Sequence, residues 1–85
     1  MEFEYILYIR DDCPYCKMAI TLLENKNMKH RAVDFSSNAK LLAEIKSLYG
    51  WNTVPVIFEI VEEDTYKLIG GYTDLRELIE IEENE

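Results

Sequence analysis

Cysteine is scarce in this chain of 85 residues: there are two, Cys13 and Cys16, spaced C-x-x-C. A secreted scaffold stapled by several bridges would use more cysteines placed far apart, and a bridge closing so short a loop stabilises little. Histidine is scarcer still. His30 stands alone on a candidate strand, so a closed zinc site, which takes four Cys, His or carboxylate ligands, lacks its donors. Basic residues number 9 against 17 acidic ones, a net charge of −8. Such a surface repels nucleic-acid phosphates and anionic membranes alike. No apolar run reaches the roughly 18 residues of a membrane span, and the N-terminal MEFEYILYIRDD carries acids where a secretory signal carries basic residues. The expectation is no nucleic-acid or membrane partner, and residence in a reducing cytoplasm.

What is present is a core. Apolar residues make up 48% of the chain and aromatic ones 12%, enough for a single domain over residues 1–85. Residues 3–9, FEYILYI, read as a strand buried on both faces. The cysteine loop follows, then a helix over 14–26 in which Cys16, Ala19, Ile20 and Leu23 share one stripe. Residues 29–35 form a second strand candidate, and 39–49 a helix presenting Leu41, Ile45, Leu48 and Tyr49, widened by Leu42, with Gly50 at its end. TVPVIFEIV and TYKLI, parted by the acidic turn 62–64, read as an antiparallel hairpin whose Pro55 sits at the strand start. Gly70 and Gly71 end the hairpin. Asp74, with Glu77 three residues on, reads as the N-cap of a last helix carrying Leu75, Leu78 and Ile79 inward. Acids at that helix's C-terminal end oppose its dipole, so 80–85 should fray. The order is β-α-β-α-β-β-α, and right-handed crossovers place helices on both faces of the sheet.

The cysteine pair is the chemical centre of the sequence. Two cysteines supply half a zinc site, leaving open only a metal or cluster shared between chains or completed by an outside thiol. A copper-chaperone loop also carries C-x-x-C, but Pro14, which fixes φ in the first helical turn, and the element order argue against it. A redox pair explains more. Cys13 falls at a helix N-terminus, where unpaired amides and the dipole favour the thiolate, the attacking species, while Cys16 is sheltered one turn on.

Two further motifs flank the pair. In TVP, Thr53 to Pro55, a cis proline would turn the backbone of Val54 toward an extended, peptide-like substrate. In GGYTD, Gly70 to Asp74, two glycines allow close backbone approach and the following helix N-terminus is an anion site. Trp51 and Tyr49 read as packing or rim aromatics, and His30 as an exposed strand residue.

CPYC after the first strand, TVP opening the third and GGYTDL before the last helix together resemble the glutaredoxin family over essentially the whole chain. The resemblance implies a thioredoxin-like fold, an α/β three-layer sandwich with a four-stranded mixed sheet. It implies glutathione-dependent thiol–disulfide exchange on protein disulfides and glutathione mixed disulfides, by a monomer that binds no resident cofactor and uses glutathione as co-substrate. Ribonucleotide reductase is among the protein partners it suggests. Carried over by position, Cys13 is the nucleophile and Cys16 the resolving thiol. Tyr15 lies beside glutathione, and Thr53, Val54 and Pro55 present the backbone that pairs with its cysteinyl part. Thr73 and Asp74 hold the γ-glutamyl end, with amides for the carboxylate and the Asp74 side chain for the ammonium, and Gly71 and Tyr72 complete the glutathione-binding set. Arg10 approximates a basic position meeting the glycyl carboxylate. Leu42 stands where relatives often carry a polar residue that assists there, so Lys46 or Lys40 would have to substitute. Val56 likewise replaces a common polar residue, and the hairpin is longer than usual.

Two rival functions keep the fold. One is a redoxin reduced by thioredoxin reductase and serving ribonucleotide reductase, against which Thr73 and Asp74 argue. The other is a dimer holding an iron–sulfur cluster through Cys13 and glutathione, against which Pro14 argues. Around the nucleophile, Asp11 and Asp12 raise the thiol pKa by like-charge repulsion, whereas the helix N-terminus, Arg10 and Lys17 lower it. The expected balance favours the thiolate.

Overall fold

The computed structural model describes residues 4–84. Over that span the chain forms β1 (Tyr5–Ile9), α1 (Pro14–Asn25), β2 (His30–Asp34), α2 (Ala39–Tyr49), β3 (Val56–Glu62), β4 (Thr65–Gly70) and α3 (Tyr72–Glu83). The sheet order is β2-β1-β3-β4, with β1 parallel to β2 and antiparallel to β3, and β4 antiparallel to β3. This is the expected four-stranded mixed sheet of a thioredoxin-like α/β sandwich. The first strand begins at Tyr5; Phe3, placed on it by the sequence, lies outside the described residues.

Strand alternation divides the apolar residues between two layers. Tyr5, Leu7 and Ile57 face α1 and α3, where Ala19, Leu23, Leu75 and Ile79 complete a fully buried cluster. Each Leu or Ile there contributes about 1.5–3 kcal/mol by leaving water. On the opposite face Tyr8 meets Phe35 and Phe58, with ring centroids 5.1 and 5.4 Å apart, and Tyr49 of α2 packs edge-on against Phe58 at 5.0 Å. Among the described residues no helix is long and apolar enough to cross a membrane.

Three local expectations are corrected. In α2 the inward residue is Leu42, 2% exposed, while Leu41 and Leu48 are 40% and 78% exposed. Leu41, Leu42, Ile45 and Leu48 satisfy two overlapping helical stripes, and the aromatic sheet face selects the one containing Leu42 and Tyr49. The last helix starts earlier than Asp74: Gly71 is its N-cap and Asp74 is the third helical residue, with Oδ2 accepting the Gly71 N–H at 2.9 Å. Glycine has no side chain to cap with, so only this backward half of the box exists. The acidic end is helical through Glu83, because Lys26, at the C-cap of α1, donates to both Glu83 carboxylate oxygens at 2.9 and 2.7 Å and supplies the missing cation. Glu85 lies outside the described residues.

The α2 assignment separates two leucines energetically. Leu42→Ala should cost about 2–5 kcal/mol in chemical unfolding, whereas Leu48→Ser should change stability by less than about 0.5 kcal/mol. Equal losses at the two positions would contradict the observed face.

Candidate active site

Cys13 is the N-cap of α1, with extended backbone angles (φ −115°, ψ 104°), and Pro14 occupies the first helical position. The Cys13 Sγ accepts the Cys16 N–H at 3.0 Å, taking up one of the amides a helix start leaves unpaired. Cys13 and Cys16 are joined as a disulfide, with Cα atoms 5.2 Å apart. Cys13 is 7% exposed and Cys16 1%, so an outside reagent meets Cys13 first. Its sulfur lies 3.7 Å from the Val54 carbonyl oxygen; a disulfide sulfur carries no proton, so this is a contact and not a donated bond.

The loop leading to Cys13 is fastened to the end of β2. The Asp11 N–H donates to Ser36 Oγ at 2.8 Å, and Ser36 in turn donates its hydroxyl and its amide to Asp34 Oδ1, at 2.5 and 2.8 Å. The Ser36 hydroxyl, then its amide, hold the Asp34 carboxyl below its ordinary range. Arg10 Nε sits 3.5 Å from Asp12 Oδ1, so one of the two acids before the nucleophile has a cation beside it.

Next to the disulfide opens a cleft of about 230 Å³. One wall is Thr53, Val54 and Pro55, with the Val54–Pro55 bond cis as expected. The other is the start of α3, from Gly71 through Asp74, and Tyr15 and Trp51 close the ends. The first-turn amides of α3 have no partners within the helix. Tyr15 lies over Tyr72, ring centroids 6.2 Å apart. Gly70 is indispensable to this arrangement: at φ +124° a Cβ would stand 2.5 Å from Asp74 Oδ2 and 2.9 Å from the Trp51 ring.

The structure therefore gathers Tyr15, Thr53, Val54, Pro55, Gly71, Tyr72, Thr73 and Asp74 around one opening beside Cys13. Arg10 is the exception. It pairs with Asp12 and does not line the cleft. Trp51, read from the sequence as packing or rim, lines the opening, and its Nε1–H is buried without a partner. Its position follows from the close of α2, where Gly50 is left-handed (φ 65°) and the Trp51 N–H returns to the Lys46 carbonyl at 2.8 Å. A glycine stop before TVP is the sequence signal that locates it. The Ser36 brace had no sequence signal beyond a turn.

A C-x-x-C disulfide at a helix start, on a thioredoxin-like sandwich and beside a substrate-sized cleft, defines a small thiol–disulfide redox protein. The glutaredoxin family model matches residues 5–63. Glutaredoxin 3 of Escherichia coli K12 is 33% identical over 69 residues, covering 81% of this chain and 77% of that protein. Among solved structures, the glutaredoxin of Brucella melitensis superposes with a TM-score of 0.72 at 34% identity, covering 93% of this chain and 80% of that one. Glutaredoxin 1 of Francisella tularensis, in complex with cacodylate, gives a TM-score of 0.69 at 26% identity, with 95% and 96% covered. The chain belongs to the glutaredoxin family and is a glutaredoxin-type thiol–disulfide oxidoreductase. The family uses glutathione as co-substrate. Among the described residues no group of three or more His, Cys, Asp or Glu side chains is placed to hold a metal ion.

The loop brace is testable. Ser36→Ala should speed hydrogen exchange of the Asp11 amide while leaving the fold intact. A carboxyl whose folded-state pKa is lowered favours the native state at pH values above its unfolded value and loses that contribution as pH falls through the folded one. The brace should thus hold from neutral pH through mild acid and fail only below the ordinary carboxylate range. An unchanged Asp11 exchange rate in the variant would contradict it.

Proposed function

We propose that the protein reduces glutathione mixed disulfides and protein disulfides with glutathione as the electron source, acting as a monomer in the cytoplasm. The observation that carries this reading is the cleft, which sets a free helix start and a carboxylate opposite an extended backbone beside the nucleophilic sulfur. In the proposed complex the amides of Tyr72 and Thr73 receive the γ-glutamyl carboxylate, Asp74 takes the ammonium, and the Val54 backbone pairs with the cysteinyl unit. Asp74 already accepts the Gly71 amide through Oδ2, so its orientation is set before ligand arrives and Oδ1 remains for the ammonium.

Reaction begins with the reduced protein. The Cys13 thiolate attacks the glutathione sulfur of a mixed disulfide; a bond forms between the two sulfurs, and the substrate leaves as a thiolate that takes a proton from water. A second glutathione thiolate then attacks the glutathionyl sulfur on Cys13, releasing glutathione disulfide and restoring the Cys13 thiolate. With a protein disulfide, Cys16 attacks the Cys13 sulfur instead, releasing the reduced protein and closing the Cys13–Cys16 bridge. Two glutathiones reopen that bridge. Ribonucleotide reductase is one protein disulfide that fits this second route.

Cys13→Ser should abolish turnover of a small glutathione mixed disulfide, while Cys16→Ser should retain it and lose activity on protein disulfides. If Cys13→Ser still removed glutathione, the assignment of the nucleophile would be wrong. Faster reduction of the Cys13–Cys16 bridge by thioredoxin reductase than by glutathione would overturn the choice of electron source.

A further inference from the structure

Resting on the reading that glutathionylated and disulfide-bonded proteins are the substrates, we propose that an open groove along α1, beside Tyr72, docks the stretch of substrate polypeptide next to the target cysteine. The groove selects a stretch that pairs a large apolar side chain with a carboxylate. Its occupant is thus a segment of the protein substrate, and neither glutathione nor a second copy of this chain.

The groove has a volume of about 340 Å³ and is lined by Lys17, Met18, Thr21, Leu22 and Asn25 of α1 and by Tyr72 of α3. Tyr72 also lines the cleft beside Cys13, where Tyr15 lies over it, so the two openings share one aromatic wall. The groove therefore starts at the redox end of α1 and runs away from it. From residue 17 to residue 25 the helix advances about 12 Å, the length of three to four extended residues. Its surface suits an apolar side chain. Met18 is 44% exposed and Tyr15 59%, while Leu22 and Tyr72 are partly buried against the core and form the floor. Exposed apolar residues gathered beside a reactive group mark an interaction surface, and the flexible thioether of Met18 adapts to apolar partners of different shape.

Charge decides the second half of the preference. Lys17 stands on the groove wall, and the Arg76 guanidinium lies over the Tyr72 ring, 5.8 Å from its centroid. Arg76 Nε is 3.8 Å from Glu80 Oε1, an exposed pair that costs little to loosen. Two of the nine basic residues thus flank Tyr72 in a chain of net charge −8. Another approach to Cys13 runs past the loop before it, where Arg10 stands beside Asp12 and the Asp11 carboxylate opposes an incoming acid. An acidic flank is therefore steered along α1 and away from that loop. With glutathione held in the cleft, the groove is the adjoining face of α1 left open to the polypeptide. A second copy of the chain, carrying the same charge of −8, is repelled as a whole.

The test uses short end-blocked peptides, each with one cysteine disulfide-bonded to glutathione. Beside the cysteine, on its N-terminal or its C-terminal side, stand leucine with glutamate, leucine with lysine, or glycine with serine. Each rate of glutathione removal by the reduced protein is divided by that of dithiothreitol on the same peptide, which takes out differences in the leaving thiol. On at least one side of the cysteine the leucine–glutamate peptide should outrun the leucine–lysine peptide by about fivefold, the factor that exposed ion pairing of about 1 kcal/mol supplies. It should outrun the glycine–serine peptide by about as much, through half-burial of the leucine. Lys17→Glu should abolish or reverse the first preference, and Met18→Ser should remove most of the second. Both are read as ratios between peptides on one protein, so any change in Cys13 reactivity cancels. Equal rates for the three peptides, a preference for lysine, or an order that survives both substitutions overturns the inference. The mixed disulfide of glutathione with 2-mercaptoethanol, which has no flank, tests the glutathione reading separately. Its turnover without any order among the peptides sinks the inference alone, and its failure to turn over ends both.

Discussion

The hydrogen bond from the Cys16 amide to the Cys13 sulfur is the constraint on which the rest of the site depends. An N-cap position is ordinarily filled by an oxygen of Ser, Thr, Asp or Asn; here a sulfur occupies it, so the group that satisfies the helix start is also the group that reacts. Negative charge on that sulfur strengthens the bond and is favoured by the dipole of α1. Pro14 holds the first turn in helical geometry without needing a donor of its own. The thiolate is thus stabilised by a structure that the helix must form in any case.

The other walls of the cleft are helix ends as well. The C-terminal stop of α2 at Gly50 turns the chain into Trp51 and TVP, placing the Val54 carbonyl against the Cys13 sulfur. The N-terminal start of α3 at Gly71 sets unpaired amides across the opening, and Asp74 reaches back to fix that start. Gly70 lets these parts meet, since a side chain there would collide with both Asp74 and Trp51. The sheet holds all three ends at one edge of the molecule through β1 and β3, whose pairing joins the redox loop to TVP. Packing of Leu7, Ile57, Leu23 and Leu75 in the layer beneath keeps the distances fixed.

Much of this was legible in the sequence because its signals are local. A β-rich run, two prolines and well-placed glycines marked the elements, and CPYC, TVP and GGYTD marked the walls of the cleft. Where tertiary contacts choose between equivalent local solutions, the sequence was ambiguous. Leu41 and Leu42 compete for the same inward stripe, and only the aromatic face of Tyr8 and Phe58 decides between them. Asp74 carries the composition of an N-cap yet serves as the third helical residue, because Gly71 can start the helix three positions earlier. The acidic end of α3 looked unsupported until Lys26, 57 residues away in sequence, came beside Glu83. Arg10 was assigned to ligand by position, but its neighbour Asp12 engages it first. Trp51 was read as packing or rim, because nothing local distinguishes a cleft aromatic from a core one.

The two aspartates before Cys13 oppose the activation that the helix start provides. Asp12 has Arg10 beside it, whereas the Asp11 carboxylate is left to act against the helix start. Titrating thiolate absorbance in reduced Cys16→Ser protein, where Cys13 is the one remaining thiol, measures that balance directly. A Cys13 pKa clearly below the free-thiol value of about 8.5 is the expected result. Titration at or above that value would show that the aspartates win and that the helix start does not activate the nucleophile.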